Sequence, residues 1–164
     1  MAEATALYTP PAPGLITRDN IVAVARSLKG TPFRHQGSHP ETGLDCRGLI
    51  EWIGFVLYGR PIPHRDYQRR PDGAEFLEKM RAEMTEIDLA SAGHGDAVLI
   101  HFPRDTEARH GGVLADGPVF AADPSELMLI HAWENRGEGA VREEPLRGWK
   151  RRNIDYAFRF PVVE

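Results

Sequence analysis

The sequence predicts an α+β domain in which N-terminal helices pack on a mainly antiparallel sheet of about five strands. Two patterns carry that reading. Apolar residues recur at helical spacing through the first half of the chain, and the second half changes to short alternating apolar runs broken by glycine turns. Size is the third observation: 164 residues suffice for one domain with its own core and leave little for a second. A parallel fold would interleave its helices and strands instead.

Residues 2–14 carry Pro10, Pro11 and Pro13, which remove backbone donors, so residues 1–16 read as an arm and residues 17–164 as the domain. Thr17 or Asp19 caps a first helix whose apolar stripe is Ile21, Val24, Ala25 and Leu28, closed by Gly30 and Pro32. Residues 33–44, rich in Gly, Ser, His and Pro without a period, predict an ordered loop. A second helix starts near Asp45 or Cys46, turns Leu49, Ile50, Ile53, Val56 and Leu57 inward, and stops at Gly59, Pro61 and Pro63. Residues 73–84 give a third, with Phe76, Leu77, Met80 and Met84 on one stripe. Strands are then predicted at residues 97–102, from His110 through 113–115, and at 127–133, 139–143 and 156–160, with Gly95-Asp96 and Gly111-Gly112 marking turns or openings.

Composition excludes several classes. A formal charge of −4 with interspersed signs offers no field that would track a phosphate backbone, so no nucleic acid partner is expected. No stretch approaches the roughly 20 apolar residues that span a bilayer, and residues 1–6 lack the basic start and apolar run of a secretion signal. The expectation is a chain made in the cytoplasm without an export signal of its own. Seven histidines invite a zinc reading, but there is no His-Glu-x-x-His helix or paired-cysteine spacing, and His94, His101 and His110 fit no ligand pattern. Neither metal nor cofactor is expected. The basic groups Arg147, Lys150, Arg151, Arg152 and Arg65, Arg69, Arg70 read as solvated faces.

One cysteine rules out an internal disulfide, which leaves Cys46 as either inert core filling or a reactive thiol. A nucleophilic cysteine needs help to ionise, and a helix N-terminus with its unpaired N–H groups gives it. Cys46 falls in such a first turn. His110, at the start of a strand, can face a helix tip packed on the sheet and act as base. His131 lies inside the apolar run 127–132, on the strand face of Leu129 and Trp133, where a polar ring needs a partner. If the two strands pair, the imidazoles can hydrogen-bond and fix each other's orientation. The Cys46 main-chain N–H and His35 are the candidate oxyanion donors, His35 only if it presents an N–H.

Read in order, Gly30-Thr31-Pro32-Phe33-Arg34-His35-Gln36-Gly37, Gly43-Leu44-Asp45-Cys46-Arg47-Gly48-Leu49-Ile50, Gly95-Asp96-Ala97-Val98-Leu99, His110-Gly111-Gly112-Val113-Leu114 and Leu129-Ile130-His131-Ala132-Trp133 resemble the NlpC/p60-type peptidases, which are papain-like cell-wall hydrolases. The resemblance spans residues 19–161. It implies Cys46 as nucleophile, His110 as base and His131 as the orienting residue, with His35, Asp45 and Arg47 at the oxyanion and substrate side. It also implies the stem peptide of peptidoglycan as substrate, cut between D-glutamate and diaminopimelate. The Arg34-His35-Gln36 loop and the closing Ala157-Phe158-Arg159-Phe160-Pro161 look most like the subgroup encoded with tail genes of phages and gene transfer agents. That implies other tail proteins as partners and a place at the tail tip, acting on the periplasmic cell wall.

The chain departs from the family's pattern at three places. Arg47 stands where relatives have a small or apolar residue, and is expected to shape or partly block the cleft. His35 stands where many cellular members carry tyrosine. Residues 116–126 lengthen the interval from His110 to His131 and read as an inserted loop that covers the cleft or docks on a neighbour. Two other functions stay open: a tail-tip module that keeps the fold without turnover, and an amidase or acyltransferase, since nucleophile and base do not fix the acyl acceptor.

Overall fold

A computed structural model describes residues 16–62, 73–117, 119 and 127–161. The arm up to residue 15, Pro63, the arginines of 64–72 and most of the 116–126 segment lie outside these residues. Helix α1 (Arg18–Ser27) begins with a reciprocal cap: the Asn20 N–H donates to Thr17 Oγ1 at 3.2 Å, and the Thr17 N–H donates to Asn20 Oδ1 at 2.8 Å. Thr17 is therefore the cap, and Asp19 lies in the first turn. Ile21, Val22, Val24 and Ala25 are buried.

The segment read as an ordered loop is stitched along its length. Gly30 and Phe33 donate to the carbonyls of Val141 and Gly139, and Val141 donates back to Thr31. This covers an open sheet edge that would otherwise expose unpaired backbone groups. The segment also holds a two-stranded antiparallel ribbon, β1 (Ser38–His39) and β2 (Gly43–Leu44), too short to show any period in the sequence. Helix α2 (Cys46–Tyr58) follows, capped by Asp45 at its start and by Gly59 at its end, where φ is 66°. Helix α3 (Gly73–Glu83) buries Phe76 and Met80.

The remaining elements are β3 (Thr85–Ile87), a 3-10 turn (Leu89–Ser91), β4 (Asp96–His101), β5 (Ala108–Ala115), β6 (Met128–Asn135), β7 (Glu138–Pro145), helix α4 (Gly148–Arg152) and β8 (Ile154–Arg159). The sheet runs β3-β8-β4-β5-β6-β7 with every neighbouring pair antiparallel. It has six strands where about five were expected. The extra one, β3, is a three-residue edge strand with Thr85 and Glu86 exposed, so it carries no apolar alternation. Helix α4 was also missed, being five residues long and mostly basic.

Alternation along the strands separates two cores. Ala97, Leu99, Val113, Ala115, Ile130 and Ala132 pack toward α1, α2 and α3, while Val98, Ile100, Leu114 and Leu129 pack on the other face with Trp149 of α4. Asp96 is buried at the start of β4 and takes a two-pronged ion pair from Arg159, at 2.9 and 2.8 Å, which closes the sheet against β8.

One irregularity positions the site. β5 pairs with β6 only at Val113–Ile130, Leu114–Leu129 and Ala115–Met128. Between residues 108–112 of β5 and 131–135 of β6 the ladder is open, while β6 keeps full register with β7. The tip of α2 meets the sheet beside this opening.

Candidate active site

The cleft occupies the split between β5 and β6. Arg109 and His110 line it from one strand, and Ala132, Trp133 and Glu134 from the other. Asp45 and Cys46 at the helix tip, Phe33 and His35 from the stitched loop, and Phe102 after β4 complete the wall.

Asp45 explains how the helix tip and the loop are held together. Its Oδ1 accepts the Gly48 N–H at 2.7 Å as an N-cap, and its Oδ2 accepts the Gln36 N–H at 3.1 Å. Gln36 itself has φ of 60°. Both carboxylate oxygens thus fasten backbone, and the turn that presents His35 is pinned to the turn that presents Cys46. Glycine is required twice in this joint. A Cβ on Gly48 would strike the Gly37 carbonyl, and one on Gly37 would strike the Gly43 carbonyl.

Cys46 is 8% exposed. Its Sγ–H donates to the Arg109 carbonyl at 3.7 Å, so the thiol lies against the β5 backbone immediately beside His110, with its proton on a carbonyl rather than on the ring. Burial, and next the Asp45 carboxylate, push the thiol up to about 12. The Gly111 N–H, the Arg47 side-chain charge and the Arg47 N–H act the other way without prevailing. The helix-tip argument named a real influence of the right sign, but desolvation outweighs it.

His110 and His131 are brought together as the sequence suggested. His110 Nε2 lies 2.7 Å from His131 Nδ1, with the rings edge to face. Alternation puts His110, Gly112 and Leu114 on the face of Leu129 and His131, and a Cβ on Gly112 would meet His131 Cβ at 3.2 Å and Leu129 Cδ1 at 2.7 Å. Gly112 thereby lets the second ring sit close to β5. His131 is fully buried. Burial first, and then the nearby cations Lys150 and Arg142, hold it down to about 3. His110 is pushed well below the ordinary histidine range by burial, then by His131 and Lys150. Both rings are therefore neutral near pH 7.

Arg47 requires a correction. Its side chain is buried against α3, with the guanidinium 5.4 Å from the Phe76 ring centroid and 3.6 Å from Glu75, and it does not line the cleft. The residue follows Cys46 by one position in a helix and so projects about 100° around the axis, away from the opening. Sequence reasoning missed Glu144, whose Oε1 lies 3.0 Å from His131 Nε2, and the cage of Phe102, Trp133 and Trp149 around the histidines. Lys150, read as part of a solvated face, is instead mostly buried, 4.6 Å from the Trp133 ring centroid and 3.1 Å from Glu144. Among the described residues no cluster of His, Cys, Asp and Glu is arranged to hold a metal ion.

Helices packed on an antiparallel sheet give a fold shared with NlpC/p60 domains of known structure. The NlpC/p60 domain of the peptidoglycan hydrolase SagA superposes with a TM-score of 0.57 at 21% identity, covering 88% of this chain and 100% of that one. An NLP/P60-family lipoprotein-like protein of Staphylococcus aureus Mu50 gives 0.57 at 19% identity, covering 94% of this chain and 44% of its own. An NlpC/P60 family protein of Bacillus cereus ATCC 10987 gives 0.57 at 19%, covering 93% and 41%.

In sequence, the chain is 32% identical over 75 residues to the bifunctional muramidase/DL-endopeptidase CwlT of Bacillus subtilis strain 168, which covers 46% of this chain and 22% of that protein. It is 28% identical over 96 residues to the phosphonates import ATP-binding protein PhnC 2 of Albidiferax ferrireducens, 58% of this chain and 34% of that protein. The chain has no Gly-x-x-x-x-Gly-Lys-Ser/Thr phosphate loop. In both cases the chain spans well under two thirds of the relative's length. No family model matches the chain.

Proposed function

We propose that the chain is a thiol-dependent peptidoglycan hydrolase, an endopeptidase of the stem peptide, with Cys46 as nucleophile, His110 as base and His131 as orienting residue. The observation that carries this reading is the opening between β5 and β6, which brings the chain's one thiol and His110, itself bonded to the buried His131, to a single cleft. With His110 Nε2 engaged by His131, Nδ1 is the nitrogen left to accept the thiol proton. As the proton moves from Sγ to Nδ1, sulfur bonds to the peptide carbonyl carbon and the carbonyl oxygen becomes an oxyanion. The Cys46 N–H, and an N–H of His35, would receive that charge. Nδ1–H then protonates the departing amine. Water, deprotonated at Nδ1, opens the thioester and releases the thiol.

The substrate bond, D-glutamate to diaminopimelate, rests on the motif resemblance, and the DL-endopeptidase likeness supports it in kind. On the same ground we place the protein at a phage or gene-transfer-agent tail tip, opening the wall locally with other tail proteins as neighbours. Purified protein incubated with peptidoglycan should release stem-peptide fragments of defined mass, and Cys46→Ala should release none while keeping its circular dichroism. Equal release by that variant would end the proposal.

A tail-tip structural module without turnover is the competing reading. It is favoured by one observation, a thiol that burial keeps protonated and a backbone carbonyl engages. Absence of fragments from wild-type protein, across peptidoglycans of differing cross-link, would decide for it.

A further inference from the structure

β7 carries a charged group whose position is fixed by register. His131 pairs directly with Arg142, and Leu129 with Glu144, so all four side chains share one face and Glu144 is the diagonal neighbour of His131. Glu144 Oε1 lies 3.0 Å from His131 Nε2 and 3.1 Å from Lys150 Nζ of α4, while its Oε2 lies 3.3 Å from Arg142 Nε. The carboxylate is thus anchored by a cation from each of two elements and aimed at a buried ring.

A hydrogen-bond inventory then settles where the protons are. An ionised carboxylate can only accept, so the hydrogen in its contact with His131 belongs to Nε2. A neutral imidazole has one N–H, which makes His131 Nδ1 an acceptor. The hydrogen in the 2.7 Å bond between the rings must therefore sit on His110 Nε2. This leaves His110 Nδ1 as a bare lone pair. Reversed tautomers would leave Nδ1 of His110 protonated and useless as a base.

We propose that Glu144 is a positioning residue that, held by Lys150 and Arg142, sets the tautomers of both imidazoles and so frees Nδ1 of His110. Burial, which keeps both rings neutral, makes the tautomer count meaningful. The consequence for turnover rests on the peptidase reading above, whereas the tautomers themselves do not.

The test separates the two. Histidine-labelled protein at pH 7.5 is measured by long-range 1H–15N correlation, with signals assigned through His110→Gln and His131→Gln. Both rings should show a protonated Nε2 and a bare Nδ1. Glu144→Ala should give His131 mixed tautomer signals and lower kcat on a soluble stem peptide by roughly tenfold to a hundredfold at nearly unchanged KM. Glu144→Gln, which keeps a carbonyl acceptor, should fall between. A wild-type ring protonated at Nδ1, or an unchanged spectrum and kcat in Glu144→Ala, would overturn the assignment. The expected wild-type tautomers in a protein that cleaves no stem peptide would refute the peptidase reading and leave the positioning role standing.

Discussion

Nδ1 of His131 lies 2.7 Å from Nε2 of His110, so a single buried hydrogen bond occupies one nitrogen of each ring and leaves no room for a second proton between them. Stability must then depend on pH with a definite sign. Unfolded histidines take up protons below about pH 6.5, whereas His131 in the folded protein resists until about 3 and His110 is lowered in the same direction. Between those limits the unfolded chain binds more protons, so stability is present above pH 6.5 and is lost as pH falls toward 3. For His131 the loss at pH 5.5 is on the order of 1 kcal/mol. Urea midpoints across pH 4 to 8 check this, and His131→Asn should flatten the lower part of the curve.

The thiol gives a second pH dependence, again set first by burial but in the upward direction. Burial and Asp45 push Cys46 up to about 12, which leaves little thiolate at neutral pH. Iodoacetamide should therefore modify folded protein at pH 7.5 more slowly than it modifies a free cysteine. The rate should climb steeply above pH 9. Intact-mass kinetics measure it, and rapid alkylation near neutrality would mean that Cys46 and His110 rest as an ion pair instead.

Gly48 lies inside the first turn of α2, where helix propensity alone makes Gly48→Ala stabilising by about 1 kcal/mol. The structure gives the opposite sign. An added Cβ would strike the Gly37 carbonyl, and Gly37 is itself tied down by bonds to Arg34 and Asp45. Overpacking against fixed backbone should make the change destabilising by about 2–3 kcal/mol. Gly54→Ala is the control, because its Cβ meets only the Arg60 side chain, at ordinary contact distances of 3.4 Å or more. Thermal melts of the pair should move in opposite directions.

The histidine pair and the helix-tip cysteine were legible because they follow from local period: residue 46 falls at a helix start, and 131 alternates with 129 and 133. Glu144 was not, since the predicted strand ended at residue 143 and nothing paired it with 131. A usable signal existed in Arg136-Gly137, which takes φ of 56° and 80° as a two-residue hairpin turn. That turn sets Asn135 opposite Glu138, and counting back sets Arg142 opposite His131. The thiol's environment is different in kind. Helix position is local, whereas burial and the open β5–β6 ladder arise from tertiary packing that no window of sequence contains.

Asp45 joins these effects in one side chain, because it caps α2, holds the His35–Gln36 turn and opposes ionisation of Cys46. Asp45→Asn separates them. Asparagine is as good an N-cap as aspartate, so the Gly48 N–H keeps its acceptor. The amide NH2 replaces the oxygen that accepted from Gln36, however, and sets donor against donor. Loss of that bond should cost about 1 kcal/mol, readable as a urea midpoint shift. Loss of the negative charge acts oppositely on the thiol: the alkylation profile of Cys46 should move to lower pH. Turnover should nevertheless fall, because the turn carrying His35 is no longer pinned beside the oxyanion position. A variant that alkylates faster and cleaves slower is what the geometry requires. If cleavage rose together with alkylation, thiol ionisation rather than placement of His35 would be limiting, and the role given to that turn would be wrong.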